Sequence, residues 1–127
     1  MGEGFNEGME FQGYKLIIYC PSVLDMYEID ICSVEVRSKS DEYTLFTERT
    51  LISGLAKLRA KNSIEQRFPK YENWEEILKK KLVDETSKNA KDRVNSKDFK
   101  KGEIYIKEIS DVNVEHWLNG IEREYLK

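Results

Sequence analysis

The stretch Glu42-Tyr-Thr-Leu-Phe-Thr-Glu-Arg-Thr-Leu-Ile-Ser-Gly-Leu-Ala-Lys-Leu-Arg-Ala-Lys61 changes its hydrophobic period half-way. In its first part Tyr43, Leu45 and Thr47 alternate with their neighbours, the pattern of a strand over Glu42 to Thr50. In its second part Leu51, Leu55 and Leu58 stand at i, i+4 and i+7, which predicts a helix over about 50–61 with those leucines toward the core. Gly54 costs that helix ~1 kcal/mol relative to alanine and marks close helix–sheet packing. A strand that hands over to a helix places the chain in an α/β-containing class.

Upstream, Tyr14-Lys-Leu-Ile-Ile-Tyr-Cys20 is aromatic and β-branched and is stopped by Pro21-Ser22, so it reads as a strand. Met26 to Arg37 reads as a second, longer strand. There Ile29 and Ile31 face one way and Val34 and Val36 continue in the opposite phase, as a bulge near Cys32-Ser33 would produce. With the polar turn Ser38–Asp41, these three strands predict an antiparallel meander. Residues 1–12, rich in Gly and Glu with isolated Phe5 and Phe11, read as a flexible N-terminal arm.

Downstream, Asn73 with Glu76 three residues on has capping-box spacing and opens a helix through Ile77, Leu78 and Leu82. Residues 84–101 carry only Ala90, Val94 and Phe99 as apolar side chains, and both a solvent-exposed helical extension and a flexible loop fit them. Gly102 to Ile109 alternates as a fourth strand. Val114, Trp117, Leu118, Ile121 and Tyr125 form the stripe of a C-terminal helix after Asp111. The expected fold is α+β: one domain over residues 13–127, with a mostly antiparallel four-stranded sheet and helices on one face. The element order is β-β-β-α-α-β-α.

The chain has 127 residues, 39% apolar and 35% charged, with fourteen aromatics, enough for a single core. Its start lacks a basic segment followed by an apolar run, and its longest apolar stretch is Leu16 to Cys20. Neither a targeting peptide nor a membrane span is expected. Two cysteines do not make a disulfide scaffold, so a cytoplasmic protein with reduced thiols is the natural expectation.

Charge is sorted along the chain. Residues 1–45 hold three bases and nine acids, residues 46–101 fifteen bases and nine acids, and residues 102–127 three bases and six acids. Blocks of opposite sign select different partners. The acids Glu28, Asp30, Glu35, Asp41 and Glu42 are the candidate protein-binding set, an acidic strand face and turn that complements a basic partner. The bases Arg49, Lys57 and Lys61, with Lys80 and Lys81, are the candidate nucleic-acid set, since phosphate contact needs a cationic surface. Interleaved acids and a pI near 5.4 weigh against it.

Other chemistry is weakly signalled. Glu35-Val-Arg37 echoes the E-x-K element of some nucleases, where carboxylates hold Mg²⁺, but Arg stays protonated and cannot act as a base. Cys20 before Pro21-Ser22 has two readings, a nucleophile at a helix start and the commoner small buried residue ending a strand. His116, the single histidine, falls outside the C-terminal stripe with no ligand partner at i+3 or i+4. No phosphate-binding glycine loop is present, and no residue pattern implies a catalytic set, a metal or a cofactor.

The expected function is therefore a non-enzymatic protein-binding module of the inhibitor, immunity or accessory type, docking its acidic strand face on a basic partner. The alternatives are a nucleic-acid-associated protein using the basic helices, then a carboxylate metal-dependent nuclease centred on Glu35.

Overall fold

The computed structural model describes residues 4–21, 24–40, 43–69 and 73–121. Its elements are β1 (Gly4–Phe11), β2 (Tyr14–Pro21), β3 (Asp30–Arg37), β4 (Thr44–Ile52), α1 (Gly54–Arg67), α2 (Trp74–Ser96), β5 (Glu103–Ile109) and α3 (Val114–Trp117). The domain is α+β. Its sheet differs from the expected one: it has five strands in the order β1-β2-β3-β4-β5 and is mixed, with β5 parallel to β4.

Both differences have local causes. Gln12 and Gly13 adopt positive φ values of 51° and 85°. Two consecutive left-handed residues make the kind of tight turn whose twist suits a hairpin, so Gly4–Phe11 folds back on β2 instead of forming an arm. Two helices then separate β4 from β5, and a connection of that length carries the chain back to start β5 beside the start of β4.

The register sorts the side chains into two faces. Leu16, Ile18 and Cys20 of β2, Cys32, Val34 and Val36 of β3, and Phe46, Thr50 and Ile52 of β4 are buried on the inner face. Alternation along β3 is unbroken from Asp30, and its one ladder irregularity lies at Val36/Arg37, not near Cys32-Ser33. Ile29 and Ile31 therefore point away from the core, and no change of phase is needed to accommodate them.

The helices pack on the inner face, as expected. The phase of α1 does not follow the leucines. Ser53 caps the helix, its Oγ accepting from the Ala56 amide at 3.1 Å. Leu51 belongs to β4, while Leu55 and Leu58 are 53% and 44% exposed. Ala56, Lys57, Ala60, Ser63 and Ile64 face inward. Counted from Ser53, the inner row is the small one, and small side chains bring the helix axis close to its neighbours.

α2 begins at the expected cap: Asn73 Oδ1 accepts from the Glu76 amide at 3.2 Å and Asn73 Nδ2 donates to the Glu76 carboxylate at 2.7 Å. The helix continues to Ser96, so most of 84–101 is helical, with Thr86, Ala90 and Val94 buried. Val114, Trp117, Leu118 and Ile121 are buried, but the expected C-terminal helix is reduced to the four-residue α3. It starts after Asn113 instead of Asp111 and gives way to turns at 118–120, where Gly120 has a φ of 90°. Tyr125 lies outside the described residues. Between the two apolar clusters runs a polar seam, in which Glu48 accepts from Arg93 at 2.8 Å and Thr50 bonds Thr86 at 2.7 Å. Among the described residues no helix is long and apolar enough to cross a membrane.

Candidate protein-binding site at a lysine-locked loop

Lys57 has no solvent exposure. Lysine is almost never found fully buried unless paired, because taking an ammonium out of water costs several kcal/mol. Here all three of its protons are used. Nζ donates to the Asp25 carbonyl, to the Glu28 carbonyl at 2.6 Å and to Asp30 Oδ2 at 2.5 Å. All three acceptors belong to the connection between β2 and β3 or to the first residue after it.

That connection is tied further by its own atoms. The Asp25 amide donates to Asp30 Oδ2 and the Tyr27 amide to Asp25 Oδ1, each at 2.9 Å. Leu24 is buried, and its amide donates to the Glu75 carboxylate of α2 at 2.7 Å. Gly54 completes the clamp: a β-carbon there would stand 2.8 Å from the Met26 carbonyl oxygen, a backbone atom with no room to yield. The first turn of α1 therefore lies directly against Met26-Tyr27.

What the clamp presents is Tyr27, 94% exposed, followed by exposed Glu28 and Ile29. Exposed large apolar side chains on a held loop are the usual raw material of a binding hot spot. The outward sheet face continues the surface. Ile31, Leu51 and Glu108 form one cross-strand row, then Ser33, Arg49 and Ile106, then Glu35, Thr47 and Ile104. Ile106 is 60% exposed, and none of the described helices covers this face.

The acids of the expected set divide among three settings. Glu28 is exposed on the loop. Asp30 lies on the inner face, committed to Lys57. Glu35 lies on the outward face, where its Oε1 accepts from Arg37 at 3.1 Å and from Thr44 Oγ1 at 3.0 Å. Asp41 and Glu42 lie outside the described residues. Strict alternation separates Asp30 from Glu35, since five residues in a strand reverse the face. A single acidic strand face holding both is corrected accordingly.

The expected basic set is also dispersed. Arg49 is on the outward sheet face and Lys57 is sealed inside, so Lys57 has no path to a phosphate. Lys61 lies over the Trp74 ring at 6.0 Å, Lys81 over Trp117 at 5.5 Å, and Lys80 borders a groove on another flank of α2. For the nuclease reading, Glu35 is occupied by Arg37 and Thr44, and no three His, Cys, Asp or Glu side chains converge among the described residues.

Cys20 and Cys32 are both buried, free and adjacent on the inner face. The hydrogen bond to Cys32, reinforced by burial, pushes the Cys20 thiol far up. The same bond, with help from Thr86, eases ionisation of Cys32 against its burial. A nucleophilic Cys20 has the opposite requirement. His116 is exposed on α3.

Sequence reasoning missed Lys57 as a structural lock and Tyr27 as an exposed anchor. One signal was present: Lys57 sits beside the Ala56–Ala60–Ile64 row, which becomes the inner row once the helix is counted from Ser53. Comparison of the chain with protein-family models, with curated proteins and with solved structures gave no match.

Proposed function

We propose that this chain is a non-enzymatic protein-binding module that docks through the Asp25–Ile29 loop and the adjoining outward sheet face. The observation that carries this reading is the buried Lys57, whose full set of hydrogen bonds goes into holding a loop that displays an almost fully exposed tyrosine. A loop already fixed in one conformation avoids about 0.5–1.5 kcal/mol of ordering cost per immobilised side chain on binding.

The partner this surface fits is a protein with an apolar socket for Tyr27 and Ile29 and a basic rim. Asp25, Glu28 and Glu108 are exposed around the apolar residues, and the one lysine at the loop is spent on Asp30. Charge complementarity of this kind speeds encounter and rejects acidic competitors.

The test is capture from a native lysate with three baits: wild type, Tyr27→Ala and Glu28→Arg. The expected result is a stoichiometric protein that wild type retains, that Tyr27→Ala loses and that Glu28→Arg holds more weakly at low salt. Equal retention by all three baits overturns the reading. Recovery of nucleic acid alone, released by high salt, transfers the function to the basic side chains.

A further inference from the structure

A second candidate surface lies on the opposite side of the sheet. α2 crosses the inner face over β2, β3 and β4, and the inner side of β1 is left beside its flank. The result is a groove of about 700 Å³. That volume falls within the usual range for small-molecule sites, about 300–1,000 Å³. Met9, Phe11 and Ile18 line it from the sheet and Val83, Ser87 and Lys91 from the helix.

The polar groups of α2 here form two rows. Lys80, Asp84, Lys88 and Asp92 follow i+4 spacing along the rim and are spoken for: Lys88 bonds Asp92 at 3.0 Å, and Lys80 and Asp84 also have partners. The deeper row is Val83, Ser87 and Lys91. Ser87 is only 7% exposed, and its Oγ has no hydrogen-bond partner among the described residues. Lys91 makes no ion pair among them either; its ammonium lies 5.4 Å from the centre of the Phe11 ring.

An orphaned buried hydroxyl costs about 1–3 kcal/mol. One χ1 step between staggered wells re-aims a serine hydroxyl. Ser87 and Lys91 are one helical turn apart, so a donor hydroxyl and an ammonium flank one spot on the groove wall. Their complement is a small anion, and the apolar floor on either side calls for an apolar body attached to it. We propose that the groove binds an amphipathic monocarboxylate, with its carboxylate between Ser87 and Lys91 and its body over Met9, Ile18 and Val83. The site is independent of the Tyr27 loop, and Tyr27→Ala leaves it unchanged.

The experiment is calorimetric titration with decanoate and with decyltrimethylammonium, both below micelle formation. Decanoate should bind saturably at one per chain, and the cationic head about tenfold more weakly or not at all. Lys91→Met, at a partly exposed position, should weaken decanoate about tenfold. Ser87→Ala should weaken it severalfold without lowering the Tm, because its hydroxyl has no hydrogen bond to lose among the described residues. Val83→Trp should fill the groove and abolish binding.

Absence of saturable binding, equal affinity for the two head groups, or an unchanged affinity in Lys91→Met each overturns the proposal. So does a drop in Tm for Ser87→Ala, which would give the hydroxyl a structural role. A wild-type dimer that Val83→Trp dissociates would make a second copy of the chain the occupant and overturn it equally.

Discussion

Lys57 of α1 and Asp30 at the head of β3 meet at 2.5 Å across 27 residues of chain, with the ammonium fully shielded from water. Buried pairs of this kind are costly to break from one side, because the remaining charge stays buried without its partner. Lys57→Met should therefore lower the unfolding free energy by about 3–5 kcal/mol, read from urea denaturation. The double variant Lys57→Met/Asp30→Leu should cost clearly less than the sum of its singles. Additive effects would show that the two residues do not act as a pair.

Gly54→Ala sets two effects against each other. Alanine is the better helix former by up to ~1 kcal/mol, but its β-carbon meets the Met26 carbonyl at 2.8 Å. The contact is with backbone, so relief requires moving either the loop or the helix start, at about 1–3 kcal/mol. We expect net destabilisation together with faster hydrogen exchange at the Tyr27 amide. A variant as stable as wild type would place the loop further from α1.

Glu48 gives a pH signature. Its burial holds the carboxyl above its ordinary value, against the hydrogen bond and charge of Arg93. A group raised in the folded chain contributes stability that is fully present below its unfolded pKa, near 4.5 for this carboxyl, and is lost as pH rises through the folded pKa. Glu48→Gln removes that component. The difference in stability between variant and wild type should therefore change with pH just above the unfolded value and level off toward neutrality. A difference constant over about pH 4–7 would assign Glu48 an unshifted carboxyl.

Gly13 has a φ of 85° in the turn between β1 and β2. A β-branched residue there pays about 1–2 kcal/mol for the left-handed conformation. Gly13→Val should destabilise the protein by that amount and raise exchange at the β1 amides first. Unchanged protection of β1 would mean that the turn does not govern its pairing.

Native-state alkylation addresses the thiols. Cys20 and Cys32 are free thiols, buried and hydrogen-bonded to each other, so both should resist iodoacetamide until the protein unfolds. Labelling of Cys20 in the folded protein at the rate of a free thiol would restore it as a nucleophile.

Several elements were legible because their signals are local. The Asn73–Glu76 cap needs only four residues and stands where the pattern places it. The residues Val114, Trp117, Leu118 and Ile121 are buried as a set, although only Val114–Trp117 of them is helix α3. The first strand after the arm, Tyr14 to Cys20, is likewise complete within itself. The errors arose where a segment's identity depended on a distant neighbour. Gly4–Phe11 is a strand because β2 offers it an edge. Leu55 and Leu58 share a helical stripe that α1 turns outward, because β4 runs on to Ile52 and resets the start of the helix. Glu28 remains a candidate contact, while Asp30 and Lys57 cancel each other inside the fold.

The sequence by itself determined which residues alternate, which repeat with the period of a helix, and where caps and turns interrupt them. These are properties of a few adjacent residues and their backbone preferences. Only the tertiary structure decided which of the two possible faces of α1 meets the core, which charges are consumed in pairs, and which apolar residues are left outside. Those outcomes depend on burial and pairing between segments tens of residues apart. A hydrophobic period says that side chains share a face, but the free energy that turns that face inward belongs to the partner it finds.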